Sequence, residues 1–128
     1  LVSSYLAPAD DGSHLLKLWE RIAVKDTQAS LSLRQREFLA GVAAGTAYSE
    51  AYASVIATDT AAQLRALRCP TLVFAGTSDP LYPQLDAAFQ LLANGRKAEI
   101  AGARTFVCER QTAEVAALLK DFLGDHHG

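Results

Sequence analysis

The segment that most limits what this chain can fold into is Cys69-Pro70-Thr71-Leu72-Val73-Phe74-Ala75-Gly76. Thr71–Ala75 is a short, continuous, β-branched and aromatic run that Gly76 ends, and a strand buried on both faces of a parallel sheet reads this way. Pro70 fits the start of such a strand, where no ladder N–H is needed, but not its interior. A buried parallel strand needs a parallel neighbour, reached by a right-handed crossover. The downstream sequence supplies one. A loop over 76–82 leads into a helix over 83–94, with Pro83 near its first turn. Leu85, Ala88, Phe89 and Leu92 make its apolar stripe, and Asn94-Gly95 ends it. A second, partly polar strand is expected over 97–101. After a loop over 102–111, a last helix is capped by Thr112, carries Val115, Leu118, Leu119 and Phe122 on one face, and stops at Gly124.

The residues before this unit read as helices. Leu15, Leu16, Leu18, Trp19 and Ile22 recur at helical spacing, after capping candidates Asp10, Asp11 and Ser13. Ser32-Leu33-Arg34-Gln35 matches a capping box and opens a second helix that buries Phe38, Leu39 and Val42, with a break at Gly45-Thr46. Tyr48, Tyr52, Val55 and Ile56 continue at helical spacing, and Thr60-Ala61-Ala62-Gln63 is another capping box, ahead of Leu64 and Leu67. The expectation is therefore α/β, with a helical segment over 1–65 and a β-α-β-α segment over 66–128. Two strands do not make a stable parallel sheet by themselves, and both edges stay open. An N-terminal portion, a second copy or another partner must complete it. The chain opens Leu1-Val2-Ser3-Ser4-Tyr5 and contains no methionine, which points to a fragment, a processed product or part of something longer.

Composition removes several function classes. Half of the 128 residues are apolar and 20% are charged, an ordinary globular balance. The net charge of −2 comes from 12 basic and 14 acidic residues without a basic stripe, so nucleic acid is not an expected partner. No apolar run reaches the length of a membrane span, and the given residues show neither the basic region nor the longer apolar stretch of a signal peptide, so a cytoplasmic chain with no membrane partner is the expectation. Cys69 and Cys108 read as reduced, mostly buried thiols. No zinc spacing and no glycine-rich phosphate loop occur, so neither a metal nor a cofactor is expected.

Arg65-Ala66-Leu67-Arg68-Cys69-Pro70-Thr71-Leu72-Val73-Phe74-Ala75-Gly76-Thr77-Ser78-Asp79 resembles a passage of the α/β-hydrolases, in which a short helix leads to a Cys-Pro-Thr strand and then Gly-x-x-Asp. A helix, a strand, a Gly-Ala-Gly-His-Phe loop and a terminal amphipathic helix follow in that family. Here the loop reads Gly102-Ala103-Arg104-Thr105-Phe106. The resemblance covers about residues 60–124. The helical segment, notably Asp11-Gly12-Ser13-His14-Leu15-Leu16-Lys17-Leu18-Trp19, is similar in character to the cap of such enzymes. The resemblance implies that Asp79 stands at the position of the acid that orients the triad histidine, and that Thr105 stands where the histidine should be. A threonine hydroxyl has no titrating group near neutral pH and cannot serve as general base.

Other constellations are weaker. Gly76-Thr77-Ser78-Asp79-Pro80 follows a strand like a Gly-x-Ser-x-Gly elbow, but Pro80 replaces the final glycine, and the segment reads as a turn. Asp79 lies at the C-terminal end of a strand, where open α/β sheets place chemistry; a turn carboxylate at a helix start is the plainer reading. His14 reads as a surface or packing residue. Tyr82, Trp19, Tyr48 and Tyr52 are candidates to line an apolar pocket for a small-molecule substrate or ligand, with core packing the alternative for Tyr48 and Tyr52. Two functions follow as expectations. One is a hydrolase-like protein or fragment whose parent activity cleaves a small ester, amide or carbon–carbon substrate, inactive as this chain alone. The other is a non-catalytic ligand-binding or assembly module, with a homodimer expected if the chain completes its own sheet.

Overall fold

A computed structural model describes residues 8–124. The chain is α/β and forms two compact units, Leu1–Thr58 and Asp59–Gly128. The division falls ahead of the 65/66 boundary expected from sequence, and the short helix that starts at Thr60 belongs to the second unit.

The first unit is helical: α1 (Ser13–Lys25), α2 (Leu31–Ala44) and α3 (Ala47–Ala57). Gly12, in the left-handed region at φ 73°, is the residue before α1 and makes no side-chain cap. Asp11 instead accepts from the Ser13 N–H at 3.0 Å, and that bond holds its carboxyl below the ordinary aspartate range. The α1–α2 link turns on Asp26. Its carboxylate accepts from the Gln28 N–H at 3.0 Å, its carbonyl accepts from the Ala29 N–H at 3.1 Å, and its side chain is fully buried.

The expected capping box at Ser32 is displaced. Ser30, two residues earlier, is the cap of α2, its hydroxyl accepting from the Leu33 N–H at 3.2 Å, and Ser32 lies inside the first turn. The expected apolar face of α2 is also corrected. Leu33 is its buried residue, Phe38 is half-buried, and Leu39 and Val42 are exposed. Trp19 of α1 meets Phe38 of α2 edge-on, centroids 5.8 Å apart, and Ile22 and Leu33 are the buried residues of the two helices. Helix α3 buries no residue, and Val55 and Ile56 lie open.

In the second unit, α4 (Thr60–Ala66) is capped by Asp59, which accepts from the Ala62 N–H at 2.9 Å. The box predicted at Thr60 thus sits one residue late. Strand β1 (Thr71–Gly76) pairs in parallel with β2 (Gly95–Ile100), Thr71 opposite Gly95 and Gly76 opposite Ile100. The crossover is shorter in helix than predicted: one 3-10 turn (Tyr82–Gln84) and then α5 (Leu85–Gln90). Leu92 lies beyond the helix, and Gly95 starts β2 rather than ending α5. The glycine is needed for packing, since a Cβ there would lie 2.8 Å from Leu92 Cβ. The expected loop over 102–111 contains a helical turn, α6 (Val107–Arg110), ahead of α7 (Thr112–Gly124). The Thr112 hydroxyl donates back to the Cys108 carbonyl at 2.8 Å, which ties the two helices. Ile100, Ala103 and Val115 form the buried centre, with Phe74 and Val107 against them. Cys69 and Cys108 are both exposed, contrary to the expected burial: each lies in a connection or a short surface helix rather than on a core face.

Candidate functional site at the strand ends

In a parallel sheet the C-terminal strand ends and the loops that leave them are the usual place for a site. Here those loops are 77–81 after β1 and 101–106 after β2, and backbone bonds lace them together. The Thr77 N–H donates to the Ile100 carbonyl at 3.0 Å and the Ser78 N–H to the Ala103 carbonyl at 3.0 Å. The Gly102 N–H returns a bond to the Thr77 hydroxyl at 2.8 Å. Gly76 makes the approach feasible, because a Cβ on it would stand 2.2 Å from the Ala103 carbonyl oxygen.

Asp79 sits half-buried on the first of these loops. Its carboxylate accepts from the Leu81 N–H at 2.7 Å, its own N–H donates to the Gly76 carbonyl at 3.0 Å, and its carbonyl accepts from the Tyr82 N–H at 3.0 Å. An aspartate bonding two residues ahead is a local turn device, so the carboxylate has a structural task whatever else it does. Thr105 is exposed on the neighbouring loop, between Ala103 and α6. Ser78 is exposed, with Pro80 two residues on.

Tyr82 is half-buried, and its hydroxyl donates to Glu99 Oε2 at 3.0 Å. Lys97 Nζ stands 2.5 Å from Asp86 and 3.3 Å from Glu99. This row of Tyr82, Glu99, Lys97 and Asp86 raises two proton affinities. Donation to Glu99 keeps the Tyr82 phenol protonated above its ordinary range, and the bond to Asp86, then that to Glu99, does the same for the Lys97 ammonium. Sequence reading missed Glu99, Lys97 and Asp86. The signal for Lys97 and Glu99 was the polar residues within the second strand, read there only as a weakness, whereas Asp86 lies on α5 and carried no such signal.

The other aromatic candidates belong to the first unit and fall in separate places. Trp19 lines an open apolar groove of ≈ 570 Å³ with Leu15, Leu16, Gln35, Phe38 and Leu39. Tyr48 lines a smaller hollow with Leu18, Ile22 and Glu37. Tyr48 and Tyr52 lie 5.1 Å apart by ring centroid, and the Arg21 guanidinium sits 5.9 and 6.0 Å from their centroids. Burial, ahead of a hydrogen bond with Tyr52, raises the Tyr48 phenol's proton affinity. The groove beside Trp19 is lined by neither Tyr48 nor Tyr52.

Chemically, the strand-end corner offers one carboxylate and three hydroxyls, from Thr77, Ser78 and Thr105. Among the described residues the one histidine is His14, whose Nδ1 accepts from the Ala9 N–H at 3.1 Å in the first unit; His126 and His127 lie outside the described residues. No group of three or more metal-binding side chains occurs among the described residues. No described helix is long and apolar enough to cross a membrane. The chain matches no family model, no curated protein and no solved structure.

Proposed function

We propose that this chain is an α/β-hydrolase-type segment that carries the acid side of a strand-end site and does not turn over substrate by itself. The parent activity is hydrolysis of a small ester, amide or carbon–carbon substrate. The observation that supports the reading most is the position of Asp79. It leaves the C-terminal end of β1 on a loop laced to the loop that carries Thr105, the two places where the family resemblance implies acid and base. With threonine at the base position, no imidazole stands beside Ser78 or the other hydroxyls of this corner among the described residues, and the Asp79 carboxylate is engaged by the Leu81 N–H. The groove beside Trp19 is an apolar surface of the kind that receives a small ligand.

The test is hydrolysis of p-nitrophenyl butyrate by the purified chain. The expected result is no saturable turnover, in the chain itself and in Asp79→Ala alike. A saturable rate that Asp79→Ala abolishes would overturn the inactive reading, and a rate lost in Ser78→Ala would make that serine a nucleophile.

A second reading, a non-catalytic assembly module, is favoured by one observation: the sheet has only two strands among the described residues, and each has an open edge. Under it the partner is a second copy of the chain.

A further inference from the structure

Arg34 is a half-buried cation without an acid. It forms no ion pair among the described residues, and its Nε is covered from solvent and finds no acceptor there. A covered donor left unsatisfied is uncommon in a folded chain. The one acid of α2, Glu37, is bonded to Arg36 at 3.2 Å. What the Arg34 guanidinium meets is the Trp19 ring, 5.8 Å from its centroid. A place over an aromatic ring leaves the in-plane N–H donors of a guanidinium available. With Nε covered, the two terminal nitrogens are the donors left for a ligand.

Trp19 is also a wall of the open groove of ≈ 570 Å³. Arg34 stands one turn before Phe38 on α2, and Phe38 lines that groove. Leu15 and Leu16 lie one turn before Trp19 on α1, and Leu39 lies one turn beyond Gln35 on α2. All three leucines line the groove and are exposed. The short link over 26–30 makes α1 and α2 a hairpin, so the leucines extend from Trp19 in one direction, away from Arg34. The groove is thus an apolar trough with a positive charge at one end, and Gln35 is its single polar lining residue. All of these residues belong to the first unit.

We infer that this groove takes a small amphipathic carboxylate, its anionic head on the terminal nitrogens of Arg34 and its hydrocarbon chain along Leu15, Leu16 and Leu39. The inference deepens the small-ligand part of the proposed function and rests on that part alone. A carboxylate matches the site in charge and in shape: its two oxygens meet two parallel N–H donors, a charge-assisted pair stronger than a neutral one. The Gln35 amide supplies a further donor. A neutral alcohol of the same length covers the same leucines and leaves the cation unmet. A phosphate dianion brings a second charge, for which no cation lines the groove among the described residues.

Trp19 is the one tryptophan of the chain, so its emission reads the groove directly. The full chain is titrated with sodium octanoate below its micelle concentration. The expected result is a saturable change in Trp19 emission, with affinity about tenfold lower in Arg34→Gln and about tenfold lower for 1-octanol, the size of one charge-assisted pair. Added salt should weaken octanoate and leave octanol unchanged. Should Arg34→Gln lose its far-ultraviolet circular dichroism, Leu39→Asp takes its place; that position is exposed, and an acid there interrupts the apolar wall and repels the ligand. No saturable change with octanoate overturns the inference, as does equal affinity for octanol, or a folded variant that binds octanoate as the parent chain does. Octanoate binding is an equilibrium reading that turnover of p-nitrophenyl butyrate neither requires nor excludes, so the two tests fail separately.

Discussion

The two units are held by different means. In the second, backbone groups do much of the joining: carbonyls and N–H groups of two loops meet directly, and Gly76 lies against Ala103 with no room for a methyl group. In the first, side chains do it, through one aromatic edge contact, cations near rings and the buried Asp26. A backbone junction tolerates little change of volume, whereas a side-chain junction between half-exposed helices can relax. Substitutions should therefore be felt more sharply in the second unit than in the first, and its junction is where a precise site can be built.

Gly76→Ala is the strongest challenge to that contrast. The added Cβ meets the Ala103 carbonyl at 2.2 Å, and a backbone atom cannot swing aside as a side chain does. Stability should fall by about 3 kcal/mol, the upper part of the usual overpacking range, as read from urea unfolding. Amide exchange at Thr77 and Ser78 should speed up most. A stable Gly76→Ala with unchanged exchange would show that the loops are not held by this contact.

Asp26→Ala tests the other unit. It removes a fully buried side chain and the acceptor of the Gln28 N–H, and stability should fall by roughly 1 kcal/mol, the net worth of a typical hydrogen bond, because the Gln28 residue is itself exposed and water can take its N–H. The loss should appear in exchange at the α1–α2 link and leave the β1 amides protected. If exchange at β1 rises equally, the two units unfold as one.

Legibility in the sequence followed the same division. The bounds of strand β1 could be read almost to the residue, because Pro70 and Gly76 bracket a short β-branched and aromatic run; its expected burial on both faces is not met, since Thr71–Ala75 are half-buried in a sheet of two strands among the described residues. The order β-α-β-α was readable from the turn residues and the change of period. What escaped were features set by tertiary distance. Gly95 looks like a helix stop, yet it is glycine because Leu92 lies against it. The end of α5 at Gln90 and the turn of α6 depend on how the crossover returns to the sheet. In the first unit, helical spacing located the helices but overstated burial, since Leu39 is 63% exposed. At the strand ends, Asp79 and Tyr82 could be picked out from the residues near Gly76; Glu99 as the acceptor of Tyr82 could not, being 17 positions away.

Asp79→Ala asks whether the corner's carboxylate is structural. Removing it frees the Leu81 N–H on a partly open loop, and about 1 kcal/mol should be lost, as for a capping residue. Asp79→Asn keeps an acceptor oxygen and should recover most of it. If Asp79→Asn and Asp79→Ala are equally destabilised, charge rather than the turn bond is what the position requires.

The smallest effect lies in the row along β2. Tyr82 and Lys97 both have proton affinities raised in the folded chain, the first by donating to Glu99 and the second by its bonds to Asp86 and Glu99. A raised folded value means that the protonated form is the one folding favours. Their contribution is thus fully present below the ordinary tyrosine and lysine values, near 10, and is lost as pH rises through the higher folded values. Absorbance titration at phenolate wavelengths, with Tyr82→Phe subtracted from the parent chain, should give a Tyr82 curve displaced above the ordinary phenol. Glu99→Gln should draw it back, since an amide oxygen accepts the hydrogen bond without opposing phenolate charge as strongly. A curve at the ordinary value in the parent chain would mean that this exposed row is solvated and that the second unit's rigidity ends at the backbone lacing of its two loops.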